Sequence, residues 1–190
     1  ITNQPLLDEI NVSGCKYLTR ITIKNCELIT NVNFSNMIQL EEVIIENCRN
    51  LNTAIISGNS SLTSVKISDC ESLSAVTLDG NTHGDLSVEL FTCDNLVTFN
   101  ATGLTTTKTL VLPLKLEKLT TFNVYEWRGL SLIRYGSSVE EYANFSNISG
   151  GIHQPYEENG TKYNVKSLIA RSHFKINSIK ASLSFFALFL

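Results

Sequence analysis

Short apolar pairs, with a single residue between their members, recur along the chain every eleven residues. They are Ile10/Val12, Ile21/Ile23, Val32/Phe34, Val43/Ile45, Ala54/Ile56, Val65/Ile67, Val76/Leu78, Val88/Leu90, Phe99/Ala101, Leu110/Leu112 and Phe122/Val124, with single-residue slips at Val88 and Phe122. Alternation at period two puts both members of a pair on one face of a strand. Eleven residues hold a strand and a tight corner, but not a strand, a helix and two turns. Alternate units also differ, so the true repeat is 22 residues. A fixed period in that range marks a solenoid. The pattern predicts an all-β or β-rich repeat solenoid over residues 10–124, of about five coils rising about 24 Å, each coil with two short parallel strands.

Written out, the long repeat is explicit: LTRITIKNCEL at 18–28, LEEVIIENCRNL at 40–51, LTSVKISDCESL at 62–73, and a degenerate VELFTCDNL at 88–96. The intervening halves end in small polar residues, Ile56-Ser-Gly-Asn59 and Leu78-Asp-Gly-Asn81. This register resembles the leucine-rich repeat family, and within it the bacterial BspA-like surface type, in which a cysteine and a leucine follow the strand at similar spacing. The resemblance covers roughly residues 7–125. The second half of each repeat departs from it, with a second strand-like pair where the family has a "proline … alanine-phenylalanine" segment. A flatter coil with two sheets is therefore expected in place of a horseshoe.

Cys26, Cys48, Cys70 and Cys93 fall on one corner of four successive coils. Parallel side chains on neighbouring coils sit about 4.8 Å apart, wider than the about 3.8 Å between Cβ atoms that a disulfide prefers. Cysteine also packs as a small buried hydrophobe, so a reduced thiol ladder in the core is expected, with Cys15 across the core from it. Zinc needs ligands converging from several directions, which a linear ladder does not offer. Asn25, Asn47 and Asp69 precede three of these cysteines. They read as corner residues satisfying backbone groups; calcium would need more oxygens than they supply. Gly58, Gly80 and Gly103 mark the opposite corner, where a residue with positive φ lets the chain reverse.

On a solenoid the outward residues carry recognition. Between the members of the apolar pairs lie two rows, Thr22, Ile44, Lys66, Glu89 and Val111 on one sheet, and Asn11, Asn33, Ile55, Thr77, Asn100 and Asn123 on the other. The second row is polar and uncharged, and Asn33, Ile55, Thr77, Asn100 and Asn123 form the candidate binding site for a glycan or an extended peptide. Charged residues make up 17% of the 190 and the net charge is −3. That balance provides no attraction for nucleic acid or an anionic membrane surface.

No catalytic constellation emerges. Glu41, Glu42, Asp69, Asp79 and Asp94 fall at unrelated registers, His83, His153 and His173 lie far apart, and no Gly-x-Ser-x-Gly elbow occurs. No enzyme activity, metal or cofactor is expected. Seven Asn-x-Ser/Thr sites, at Asn11, Asn33, Asn59, Asn100, Asn144, Asn147 and Asn159, arise readily in a chain this rich in those residues.

The division is a solenoid at 1–125 and an irregular cap at 126–190. In the latter, Trp127 plugs the end of the stack, 144–164 read as loop, and strand resumes near Tyr163. The apolar tail 184–190 is too short for a membrane span. Both ends suggest a fragment of a longer chain. The BspA-like resemblance implies a binding or adhesion module, extracellular or on a microbial cell surface, with a protein or glycan ligand. Two alternatives stand beside it: a spacer or receptor-binding segment of a phage tail or other virion appendage, and a fragment of a glycan-processing enzyme.

Overall fold

The computed structural model describes residues 1–104, 109–113, 118–123, 132–135, 141–144, 156–158 and 161–163. Strands β1 (Arg20–Lys24), β3 (Glu42–Glu46), β5 (Ser64–Ser68), β7 (Ser87–Phe91) and β9 (Thr109–Leu112) alternate along the chain with β2 (Asn31–Asn33), β4 (Thr53–Ile55), β6 (Ala75–Thr77), β8 (Thr98–Asn100) and β10 (Thr121–Asn123). Odd strands form one parallel sheet and even strands another, so each coil gives one strand to each. The register is 22 residues: Ile21 pairs with Val43, Val43 with Val65, Val32 with Ala54 and Ala54 with Val76. Among the described residues there is no helix. The chain is an all-β, two-sheet solenoid.

The apolar pairs build the core. Both members are buried in every coil from Ile21/Ile23 to Leu110/Leu112, each large aliphatic contributing about 1.5–3 kcal/mol by leaving water. On the short sheet the two inward columns pair as Val32/Phe34, Ala54/Ile56, Val76/Leu78 and Phe99/Ala101. Between the last two of these coils volume is traded, Val76 giving way to the larger Phe99 while Leu78 gives way to the smaller Ala101, which keeps packing dense.

The four ladder cysteines are free and fully buried. Each thiol faces the carbonyl two residues back, as in Cys26 Sγ to Lys24 O at 3.4 Å and Cys93 Sγ to Phe91 O at 3.2 Å. Burial pushes the Cys48 thiol up to about 11 from 9.0, and hydrogen bonding with Cys93, together with burial, raises Cys70. The folded state therefore holds these protons more tightly than the unfolded chain. The stability they contribute is full below the unfolded pKa and is lost as pH rises through the folded one, for Cys48 between about 9 and 11. Cys15, in contrast, is exposed. Native labelling with a thiol reagent should modify Cys15 within the mixing time and the other four only on unfolding, and Cys48→Ala should cost about 1–2 kcal/mol. A native disulfide between ladder members, found by mass spectrometry, would refute the reduced ladder.

The corner before the cysteines is left-handed in every coil: φ is 56° at Asn3, 56° at Asn25, 54° at Asn47, 54° at Asp69 and 53° at Thr92. Asn and Asp tolerate that region better than other non-glycine residues. The asparagine side chains bond one another in place of the expected backbone groups. Asn47 Nδ2 donates to Asn25 Oδ1 at 2.8 Å, and Asn25 Nδ2 donates to Asn3 Oδ1 at 2.6 Å, so an amide chain runs from coil to coil. Asp69 ends it, because a carboxylate has no proton to donate to Asn47, whose Oδ1 faces Arg49 Nε at 3.4 Å. Asp69→Asn should extend the chain and raise stability by about 0.5–1 kcal/mol; an unchanged urea midpoint would show that the amides add nothing.

The opposite corner turns at Asn36, Gly58, Gly80 and Gly103, with φ of 59°, 69°, 70° and 75°. At Gly58 a Cβ would also meet Asn36 Oδ1 at 2.6 Å, so a larger residue there would have to turn the exposed Asn36 side chain aside as well. Just after two of these turns lie Asn59 and Asn81, both fully buried. Asn81 Oδ1 accepts the Asn59 N–H at 2.8 Å, and its Nδ2 donates to Ile56 O at 2.6 Å and Leu78 O at 2.7 Å. Asn59 repeats this one coil earlier, accepting from Met37 N at 2.7 Å and donating to Phe34 O at 2.9 Å. These amides clip adjacent coils together from inside. Burial also removes Asn59 from the set of accessible glycosylation acceptors.

The first half-coil departs from the expected pattern. Ile10 and Val12 are partly buried against the core but form no strand on β2. Cys15 occupies the position of Met37, Asn59 and Asn81 in later coils, and its neighbour in the stack is Met37, which has no oxygen to accept the Cys15 N–H. That amide bonds instead to Val12 O at 2.9 Å. No such clip fastens this half-coil to β2, and Cys15 stays exposed. The long sheet is extended at this end by residues 1–3, where Thr2 bridges Lys24 and the Lys24 N–H reaches Ile1 O at 3.0 Å.

At the other end the long sheet continues into β11 (Leu132–Tyr135), parallel to β9 with Leu132 opposite Thr109, and closes with β12 (Glu141–Asn144), antiparallel to β11. Residues 144–164, expected as loop, contain the antiparallel hairpin of β13 (Tyr156–Glu158) and β14 (Thr161–Tyr163), so Tyr163 ends a strand. The Asn159-Gly160 dipeptide between two short runs is the local sequence signal for it. Trp127 and the tail 184–190 lie outside the described residues.

Candidate ligand-binding face

Strands β2, β4, β6 and β8 are each three residues long with the central residue buried, so their first and third residues point outward. Parallel in-register pairing aligns Asn33 with Ile55, Ile55 with Thr77, Thr77 with Asn100 and Asn100 with Asn123. The backbone thus brings all five residues expected from the sequence into one row across the short sheet. Asn33 is exposed, and Ile55, Thr77 and Asn100 are half-exposed between their neighbours. The side chain of Asn123 lies outside the described residues.

A second row was not singled out from the sequence: Asn31, Thr53, Ala75, Thr98 and Thr121. It stands one residue before each apolar pair, and period two could have revealed it. No residue of either row is charged. The side chains of Thr77, Thr98 and Asn100 make no hydrogen bond to the described residues, so their hydroxyls and amide face solvent with donors and acceptors available. Asn33 Oδ1 is occupied locally by the Ser35 N–H at 3.2 Å.

The outer face of the long sheet differs in kind. Arg20 pairs with Glu42, Lys24 Nζ lies 2.5 Å from Glu46 Oε2, and Lys66 Nζ sits 5.7 Å from the centre of the Phe91 ring. Lys24 beside Glu46 holds that carboxyl below its ordinary value, through the hydrogen bond first and charge second. These charges answer one another across neighbouring coils and are exposed, so each pair contributes little to stability. Val111, expected to point outward on this sheet, is buried between β7 and β11.

A cleft of about 750 Å³ opens where the undocked first half-coil leaves the edge of β2, lined by Ile10, Asn11, Val12, Cys15, Asn33 and Met37. Among the described residues no group of three or more His, Cys, Asp or Glu side chains could hold a metal ion, and no helix is long and apolar enough to cross a membrane. What the short sheet can do chemically is donate and accept neutral hydrogen bonds at regular intervals. No protein-family model matches the chain, and no curated protein and no solved structure matches it either.

Proposed function

We propose that the chain is a non-catalytic binding or adhesion module of a surface-exposed or secreted microbial protein, of the BspA-like leucine-rich type its repeats resemble, and that it recognises a protein or glycan through the short-sheet face. The observation that carries this reading is the contrast between the two faces. One carries ion pairs between β1 and β3, while the other aligns two rows of uncharged residues across its five strands. Desolvating an uncharged polar row is less costly than desolvating lysine and glutamate, and equivalent groups on successive coils suit an extended ligand. The same uninterrupted stack supports a second use, as a stiff spacer in a virion appendage.

Thr77→Lys with Asn100→Lys tests the face directly. Both side chains are half-exposed and unbonded, so the fold should tolerate the change, with a urea midpoint within about 0.5 kcal/mol of the parent. Capture on an array of glycans and cell-surface proteins should be lost, and capture by the parent should vary little with salt. A folded double variant that is captured as well as the parent would move the site elsewhere.

A further inference from the structure

The strands of the short sheet are three residues long, so the face is only about 10 Å wide along them, while across them it extends by about 4.8 Å for every coil. An extended ligand must therefore lie across the strands, along the axis of the stack. Thr53, Ala75 and Thr98 repeat on one side of that path and Ile55, Thr77 and Asn100 on the other, each at coil spacing. The ligand should thus repeat its own hydrogen-bonding groups at that distance.

An extended peptide does not. Its residues advance by about 3.3 Å and its same-face side chains by about 6.7 Å, so it falls out of step with the coils within two strands. One residue of an extended β-1,4-linked glycan advances by nearly the distance from one coil to the next. Successive sugars are turned over about the chain axis, so each edge offers a hydroxyl of every sugar, the same hydroxyl returning at every second one, with a C–H face between the edges. The mismatch that remains is within what Asn and Thr side-chain rotation absorbs. Charge agrees with this ligand. A polymer of uronate, sulfate or phosphate would give up hydration on this face and find no cation in either row, whereas neutral hydroxyls exchange water for the free Thr77 and Thr98 hydroxyls and the Asn100 amide. Ile55 beside Ala75 supplies a methyl surface with a shallow step for the C–H face of a ring.

We infer that this face binds a neutral β-1,4-linked glycan lying along the stack axis, one sugar to each coil. The inference rests on the short-sheet reading above and narrows its ligand from protein or glycan to this one class. Calorimetric titration with cello- and chito-oligosaccharides, from disaccharide to hexasaccharide, tests it, with maltohexaose as the α-linked control. Affinity for at least one β-linked series should climb several-fold with each added sugar and level off near five, the number of strands in the sheet. It should be indifferent to salt, and Thr77→Lys with Asn100→Lys should lower it about tenfold or more. Absence of binding to either series, affinity that does not depend on chain length, or equal affinity for maltohexaose overturns the inference. If the double variant loses capture on the array while neither series binds the parent, the glycan assignment alone falls. If the double variant keeps array capture, the binding face itself is wrongly placed.

Discussion

Asn81→Ala should lower the free energy of unfolding by about 3–5 kcal/mol, close to the limit for a single substitution. The side chain is fully buried and makes three hydrogen bonds, two of them across the coil boundary, to Asn59 N and Ile56 O. Alanine removes the amide but leaves the Asn59 N–H and the Ile56 and Leu78 carbonyls in place. Each deserted buried group loses about 1–3 kcal/mol of solvation or pairing, offset in part by any water that enters the space. The matched control is Asn33→Ala, an exposed asparagine whose side chain accepts from a local turn amide, where a change within about 0.5 kcal/mol is expected. Urea denaturation of the two variants side by side decides the matter. Equal midpoints would mean that the inner clip does not hold the coils together.

Those clips also show where a reading of the sequence stops. The apolar pairs, the thiol ladder and the positive-φ corners at Gly58, Gly80 and Gly103 are all legible, because periodicity fixes register and register fixes which side chains stack. The Asn59–Asn81 interaction is a contact between residues 22 apart, in segments that read simply as small and polar. Recurrence of Asn directly after the corner glycine was the available signal. Ile10 and Val12 have strand spacing and pack on the core yet form no strand, and the Cys15 amide beside them turns back onto Val12. Hydrophobic spacing specifies which face is buried, but not whether a segment at the edge pairs. The candidate row is legible from alternation within the apolar pairs; the second row lies outside those pairs and follows only when the alternation is carried one residue further.

Phe99→Ala should destabilise by about 3–5 kcal/mol, through lost burial and the cavity that remains. Phe99 is fully buried, and its companion in the same coil is Ala101, the smallest residue of the second inward column. Ala101 is too small to fill the space. The volume argument makes a sharper claim about a pair of changes. Phe99→Val with Ala101→Leu reproduces the Val76/Leu78 arrangement of the preceding coil, and it should recover most of what Phe99→Val alone loses. Thermal and urea unfolding of the single and double variants measure the coupling. Strict additivity of the two changes would show that the columns pack independently.

The amide chain at the outer corner and the clips at the inner one both join neighbouring coils and never skip one. Tension applied through the backbone enters at one end of such a stack and reaches the interior only after the outermost coil has let go. Each released coil pays out 22 residues, about 75 Å of slack at about 3.4 Å per residue, before the next is loaded. A tether built this way yields in increments, absorbing work while the coils still stacked keep their geometry.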